Sequence, residues 1–135
     1  MLQRIIPVLL LDNDRLVKTS KYKKPIYIGD PINAVKLFND KEADELIILD
    51  INASKNESDP NFNLLEEIAG EAFMPLAYGG GIRNIDDAAR IFQLGFEKVI
   101  FTSALWSNPN LVNEVVENFG SQSCVINLDI KQNLF

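Results

Sequence analysis

The sequence contains no histidine. A Ser-His-Asp triad, an imidazole general base and a histidine-bound metal are therefore excluded. It contains one cysteine, Cys124. No disulfide can close within the chain, and a reducing compartment such as the cytoplasm is the expected setting. Basic clusters are also scarce. The net charge is −6, and Lys21, Lys23 and Lys24 form the only local run, which reads as a solvated loop. This balance argues against a nucleic-acid surface. No apolar run approaches ~18 residues, so no membrane-spanning segment is expected. The first eleven residues are apolar, but Arg4 and Pro7 interrupt them and no small-residue cleavage site follows. They read as a first strand rather than a signal peptide.

What is present is one ordinary globular unit, 135 residues long, 47% apolar and 24% charged. It is organised around Pro75-Leu-Ala-Tyr-Gly-Gly-Gly-Ile-Arg83. A short apolar run ends in three glycines, and an amphipathic helical pattern opens at Asn84. Strand, glycine turn and helix together bring bare backbone N–H groups up to an anion. The same pattern also serves as a plain βα turn.

The rest of the chain repeats this alternation. Apolar runs start at 5, 46, 76, 98 and 123. Between them lie helical patterns with Asp30-Pro31, Asn84 and Asn108-Pro109 as starts. Another helix is expected over 64–69, after a polar loop from 52 to 61. The long mixed segment 19–29 reads as a lid or binding loop. The prediction is α/β, (βα)4 plus a fifth strand, with a parallel sheet and right-handed crossovers. An open doubly wound sheet and part of an eight-stranded barrel both satisfy it.

Polar residues gather at the strands' C-terminal ends. Asp50 ends the second strand, Gly79 to Gly81 the third, Thr102 and Ser103 the fourth, and Asp129 the fifth. In a barrel these ends form one face, where active sites lie. Gly80, Gly81, Thr102 and Ser103 would supply N–H and O–H donors to a phosphate. Asp129 is the candidate acid or base, since burial at an apolar strand's end favours a neutral carboxyl. Asp50 either supports the mouth or binds substrate. Arg4, Glu45 and Lys98 lie at the strands' beginnings, where spacing alone suggests ordinary solvated charges.

The chain resembles the cyclase subunit of imidazole glycerol phosphate synthase. The matching pieces are Arg4-Ile-Ile6, Gly29-Asp-Pro31, Asp44-Glu-Leu46 with Leu49-Asp50, Gly79-Gly-Gly-Ile82, Lys98-Val99, Asn108-Pro109, Phe119-Gly-Ser-Gln122 and Asn127-Leu-Asp-Ile-Lys131. The resemblance implies a (βα)8 barrel. It implies ammonia supplied by a glutaminase partner and a small bis-phosphorylated ribulosyl substrate that is cleaved and cyclised, with no metal or redox cofactor. By the same resemblance, Asp129 stands at one of two catalytic aspartates, and Gly81, Thr102 and Ser103 at a phosphate site. Lys18 stands at a substrate-loop lysine. Arg4, Glu45 and Lys98 stand at three of four residues that gate ammonia at the barrel's bottom.

Two departures qualify this picture. The family's first strand carries the other catalytic aspartate where this chain has Leu10. Asp12 lies two positions on, roughly 6–7 Å along a strand. This pattern resembles the paralogues associated with surface-polysaccharide synthesis, in which a cyclase-like barrel and a glutaminase are thought to supply ammonia for an amidine on a sugar. The second departure is length, because a whole barrel takes ~250 residues. The chain is expected to be a single domain over 1–135, the N-terminal half of a barrel. Its first and fifth strands would be open edges, inviting self-association.

Overall fold

The computed structural model describes residues 3–19 and 26–130. The lysine run at 21–24 and the tail at 131–135 lie outside the described residues.

The sheet is built on five parallel strands. They are β1 (Val8–Asp12), β4 (Leu46–Asp50), β5 (Leu76–Gly79), β6 (Lys98–Phe101) and β7 (Cys124–Ile126), paired in that order. Two further strands, β2 (Arg15–Lys18) and β3 (Ile26–Gly29), add an antiparallel ribbon beside β1. The β1–β2 turn is tight because Asn13 and Asp14 both adopt positive φ, 50° and 64°. Asn and Asp tolerate that region better than other side chains with a Cβ. This ribbon corrects two expectations. Segment 19–29 ends in a strand rather than loop. The first strand is also not a free edge throughout, since Leu10, Leu11 and Asp12 pair with β2.

Helices cross between the parallel strands: α1 (Pro31–Asp40), α3 (Phe62–Glu71), α4 (Ile85–Gln93) and α6 (Pro109–Phe119). Their starts are chemically explicit. Asp30, Asn61, Asn84 and Asn108 each accept a backbone N–H three residues on, as N-caps do. Two short helices, α2 (Ile51–Asn56) and α5 (Ala104–Ser107), sit directly on the C-terminal ends of β4 and β6. The polar loop expected from Asn52 is therefore helical over its first part. The fifth strand is also shorter than the expected 123–129: it spans Cys124–Ile126, and Asn127 N–H makes one more bond to β6, to the Phe101 carbonyl at 2.8 Å.

Strand alternation separates two faces. In β4, Leu46, Ile48 and Asp50 are buried, while Ile47 and Leu49 are half-buried. The buried face packs under the helices with Leu11, Tyr78, Val99 and Phe101. Tyr78 packs edge-on to Phe96. Its hydroxyl is buried without a partner among the described residues, and burial first, then nearby Asp50, pushes its pKa up. The other face is concave. One register row crosses it, Leu10–Leu49–Gly79–Ile100–Val125.

Candidate functional site

A cleft of about 480 Å³ opens over the C-terminal ends of the parallel strands. Leu10, Leu49, Gly79 and Ile100 from the register row form its floor, and Gly80, Gly81, Thr102, Ser103 and Asp129 stand around it. The expected cradle residues and the expected carboxylate are thus brought to one cavity. Lys18 is not among the lining residues; it ends β2 and is exposed.

The glycines are required by close approach. Gly80 and Gly81 have φ of +129° and +71°, a region that strains other residues. A Cβ on Gly80 would lie 2.5 Å from the Asp50 carbonyl oxygen. One on Gly81 would overlap the Ser58 carbonyl and lie 3.0 Å from Ala53 Cβ. Chain segment 53–58 therefore lies directly against the glycine turn.

Asp50 explains why that segment is there. Its carboxylate accepts the N–H groups of Asn52 and Ala53 at 3.0 and 2.8 Å, capping α2. It is 7% exposed. Burial raises its pKa first of all, the two N–H groups oppose this, and the charges of Asp14 and Asp12 add to it. Asp50 lines the cleft, but its hydrogen bonds go to the backbone.

The hydroxyl pair divides. Asn127 donates its side-chain N–H to Thr102 Oγ1 at 3.3 Å, tying β6 to the residues after β7. Ser103 precedes α5 but makes no side-chain capping bond, and it lines the cleft as an exposed residue. Asp129 is exposed, which corrects the expectation of a carboxyl buried at a strand's end. The strand stops three residues earlier, and among the described residues its neighbours Leu128 and Ile130 are exposed as well.

The opposite ends of the strands hold a second cluster. Arg4 Nη2 and Lys98 Nζ both reach Glu45 Oε1, at 3.0 and 3.4 Å. The three charges expected to be solvated independently from spacing alone are thus one group. Two bonds between Ile5 and Asp44 carry Arg4 there: Ile5 N–H donates to the Asp44 carboxylate at 2.6 Å, and Asp44 N–H donates to the Ile5 carbonyl at 3.1 Å. Glu45 is 16% exposed. Burial alone would raise its pKa, but the Arg4 hydrogen bond and the Lys98 charge outweigh that and hold it below the usual glutamate value.

The histidine biosynthesis protein profile matches residues 4–134. The chain belongs to the histidine biosynthesis protein family. Over 132 residues it is 52% identical to a Vibrio vulnificus protein bearing the provisional name imidazole glycerol phosphate synthase subunit hisF3, covering 98% of this chain and 51% of that one. Over 130 residues it is 50% identical to a Pseudomonas aeruginosa protein provisionally named as subunit hisF2, covering 96% and 52%. Over 130 residues it is 41% identical to imidazole glycerol phosphate synthase subunit HisF of Methanocaldococcus jannaschii, covering 96% and 48%. The chain spans about half the length of the curated relatives it matches. Its five parallel strands and four crossing helices form the N-terminal (βα)4-plus-one part of the family's (βα)8 barrel.

Within this histidine biosynthesis family member, Leu10 lines the cleft that Asp129 also lines. Position 10, where the resemblance led a carboxylate to be expected, therefore presents an apolar side chain to the cavity. Lys55 and Ser54, on α2, also line the cleft, and sequence reasoning missed both. The signal available was Asp50 alone, a residue type favoured at N-caps, since the six residues after it are mostly weak helix formers. Among the described residues no group of three or more His, Cys, Asp or Glu is arranged to hold a metal ion. No described helix is long and apolar enough to cross a membrane.

The Glu45 cluster makes stability depend on acidity. A depressed carboxyl pKa contributes stability that is fully present above the unfolded value, about 4.3. That contribution is lost as pH falls through the lower folded value. Solvent screens the Arg4 side, which is 59% exposed, so the contribution should be roughly 0.5–1 kcal/mol. Urea unfolding at pH 7 and pH 3 should show a larger acid loss for the parent than for Glu45→Gln. Equal losses would mean that the cluster does not stabilise the fold.

Proposed function

We propose that this chain forms part of a cyclase-type, lyase-class subunit of an imidazole-glycerol-phosphate-synthase-like enzyme. The observation that carries the reading is the cleft, in which a glycine turn, a free hydroxyl and a carboxylate meet at the C-terminal ends of barrel strands. The Gly80 and Gly81 N–H groups and the Ser103 hydroxyl hold one phosphate of a bis-phosphorylated ribulosyl aminoimidazole substrate. Thr102 completes that site and is oriented by Asn127. Asp129 transfers protons during cleavage and ring closure. Asp50 maintains the cleft wall. Lys18 meets the substrate only if the β2–β3 ribbon folds inward.

A glutaminase partner docks beneath the strands and delivers ammonia past Arg4, Glu45 and Lys98. Glu45 held between two cations is a polar plug that an ammonia molecule can pass by local rearrangement. We place the protein in the cytoplasm, where Cys124 remains a thiol; its burial pushes its pKa up. On its own the chain self-associates, because Ile6, Val8 and Leu128 are exposed apolar residues and, among the described residues, no strand pairs with the far edge of β7.

Leu10 supports a second reading. A cleft with one working carboxylate suits a non-catalytic ammonia conduit or glutaminase activator, as for amidine formation on a surface-polysaccharide sugar. Titrating the purified chain with the ribulosyl substrate, in the presence of ammonium, tests both. The expected result is binding without turnover. Turnover by the chain would overturn the claim that this cleft is catalytically incomplete, and absence of binding would overturn the cyclase-type reading.

A further inference from the structure

The cleft wall carries an unassigned cation. Lys55 is the only basic residue among the described residues that line the cleft. Two carboxylates, Asp50 and Asp129, line it with Lys55. Without Lys55 the walls would present only negative charge to an entering anion. Among the described residues Lys55 makes no ion pair, although Glu57 and Asp59 lie close in sequence. Asp59 is instead engaged by Arg83. The ammonium of Lys55 is therefore uncommitted.

The position of Lys55 is set by the glycine turn. Asp50 caps α2 at its first turn, and Ala53 of α2 abuts the place where a Gly81 Cβ would be. Lys55 follows two residues later, in the last turn of α2. Its flexible four-carbon stem lets the ammonium reach over the turn as a point charge.

We propose that Lys55 is a substrate-binding residue of this cleft, placing its ammonium on the oxygens of a phosphate monoester seated on the Gly80–Gly81 turn and Ser103. This rests on the phosphate reading of the turn given above. The N–H and O–H donors fix the orientation of the phosphate. Lys55 supplies the charge that offsets Asp129 and makes a charge-assisted hydrogen bond.

The test uses the purified chain, titrated with ribose 5-phosphate and, as a neutral control, ribose. The readout is the backbone amide resonances of Gly80, Gly81 and Ser103. In the parent these should shift with ribose 5-phosphate and not with ribose. Lys55→Ala and Lys55→Gln should each raise Kd by about 10-fold, equivalent to about 1.4 kcal/mol. Lys55→Arg, which keeps the charge, should bind more tightly than either. Lys55 is exposed, so these variants should unfold like the parent. If the parent shifts as expected and Lys55→Gln binds equally well, Lys55 has no part in binding, while the phosphate reading stands. If the three amides of the parent do not respond to ribose 5-phosphate, the phosphate reading falls, and the role of Lys55 falls with it.

Discussion

Leu10→Asp is expected to raise the cyclisation rate by roughly 10²–10⁴-fold, the usual worth of one general acid or base, when this segment is part of a complete eight-stranded barrel. The expectation follows from register. Leu10 occupies the same row as Leu49, Gly79 and Ile100, and that row is the cleft floor. An aspartate there would face the cavity that Asp129 lines, giving two carboxylates on one substrate. Asp12 does not replace it, because Asp12 pairs with Arg15 in the ribbon turn and is not among the lining residues. Ammonium-dependent turnover of the ribulosyl substrate is the measurement. A gain in kcat with little change in KM would show that the parent lacks only a proton-transfer group. No gain would favour the conduit or activator role, in which the cleft binds but does not react.

Gly81→Ala should remove phosphate-ester binding and lower stability by about 2–4 kcal/mol, combining left-handed backbone strain with overpacking. Two independent facts make this large. The φ of Gly81 is +71°, and the added methyl would overlap the Ser58 carbonyl. Backbone is the obstacle, so no side-chain rotation relieves it. Urea unfolding and phosphate-ester titration of the same variant check both halves. Gly70→Ala is the contrast, because its Cβ would meet nothing within 4 Å and it lies inside α3. That change should leave binding intact and stabilise slightly, by about 0.5–1 kcal/mol. A Gly81→Ala variant that kept both stability and binding would show that the turn can open without consequence.

The parallel strands and the crossing helices were legible because their signals are local and redundant. Asp30-Pro31, Asn84 and Asn108-Pro109 announce helices, and each caps one. Gly120, at φ 91°, ends α6 as expected. The convergence of Gly81, Thr102 and Ser103 was legible too, since adjacent parallel strands must bring their ends together. Other features depend on non-local packing. The six residues of α2 include two asparagines and are too short to show a period; the Asp50 side chain caps them from the end of β4, and Gly81 leaves room for them against the turn. The ribbon strand β3 pairs with β2 from across a long connection. Asp129 was expected to be buried because its neighbours in sequence are apolar, yet among the described residues Leu128 and Ile130 are 59% and 90% exposed. The ion cluster of Arg4, Glu45 and Lys98 appears only once the strands are in register.

The placement of Asp50 has a consequence for how this cleft can change over generations. One residue anchors the end of β4, starts α2 and backs Gly80, so the wall geometry depends on it and on the two glycines. Lys55 hangs from that wall without supporting it. If Lys55 binds substrate as proposed, ligand preference and foldedness are carried by different positions. The side chains at 55 and 10 can then be exchanged to alter the chemistry of the cavity, while positions 50, 80 and 81 keep the cavity in being.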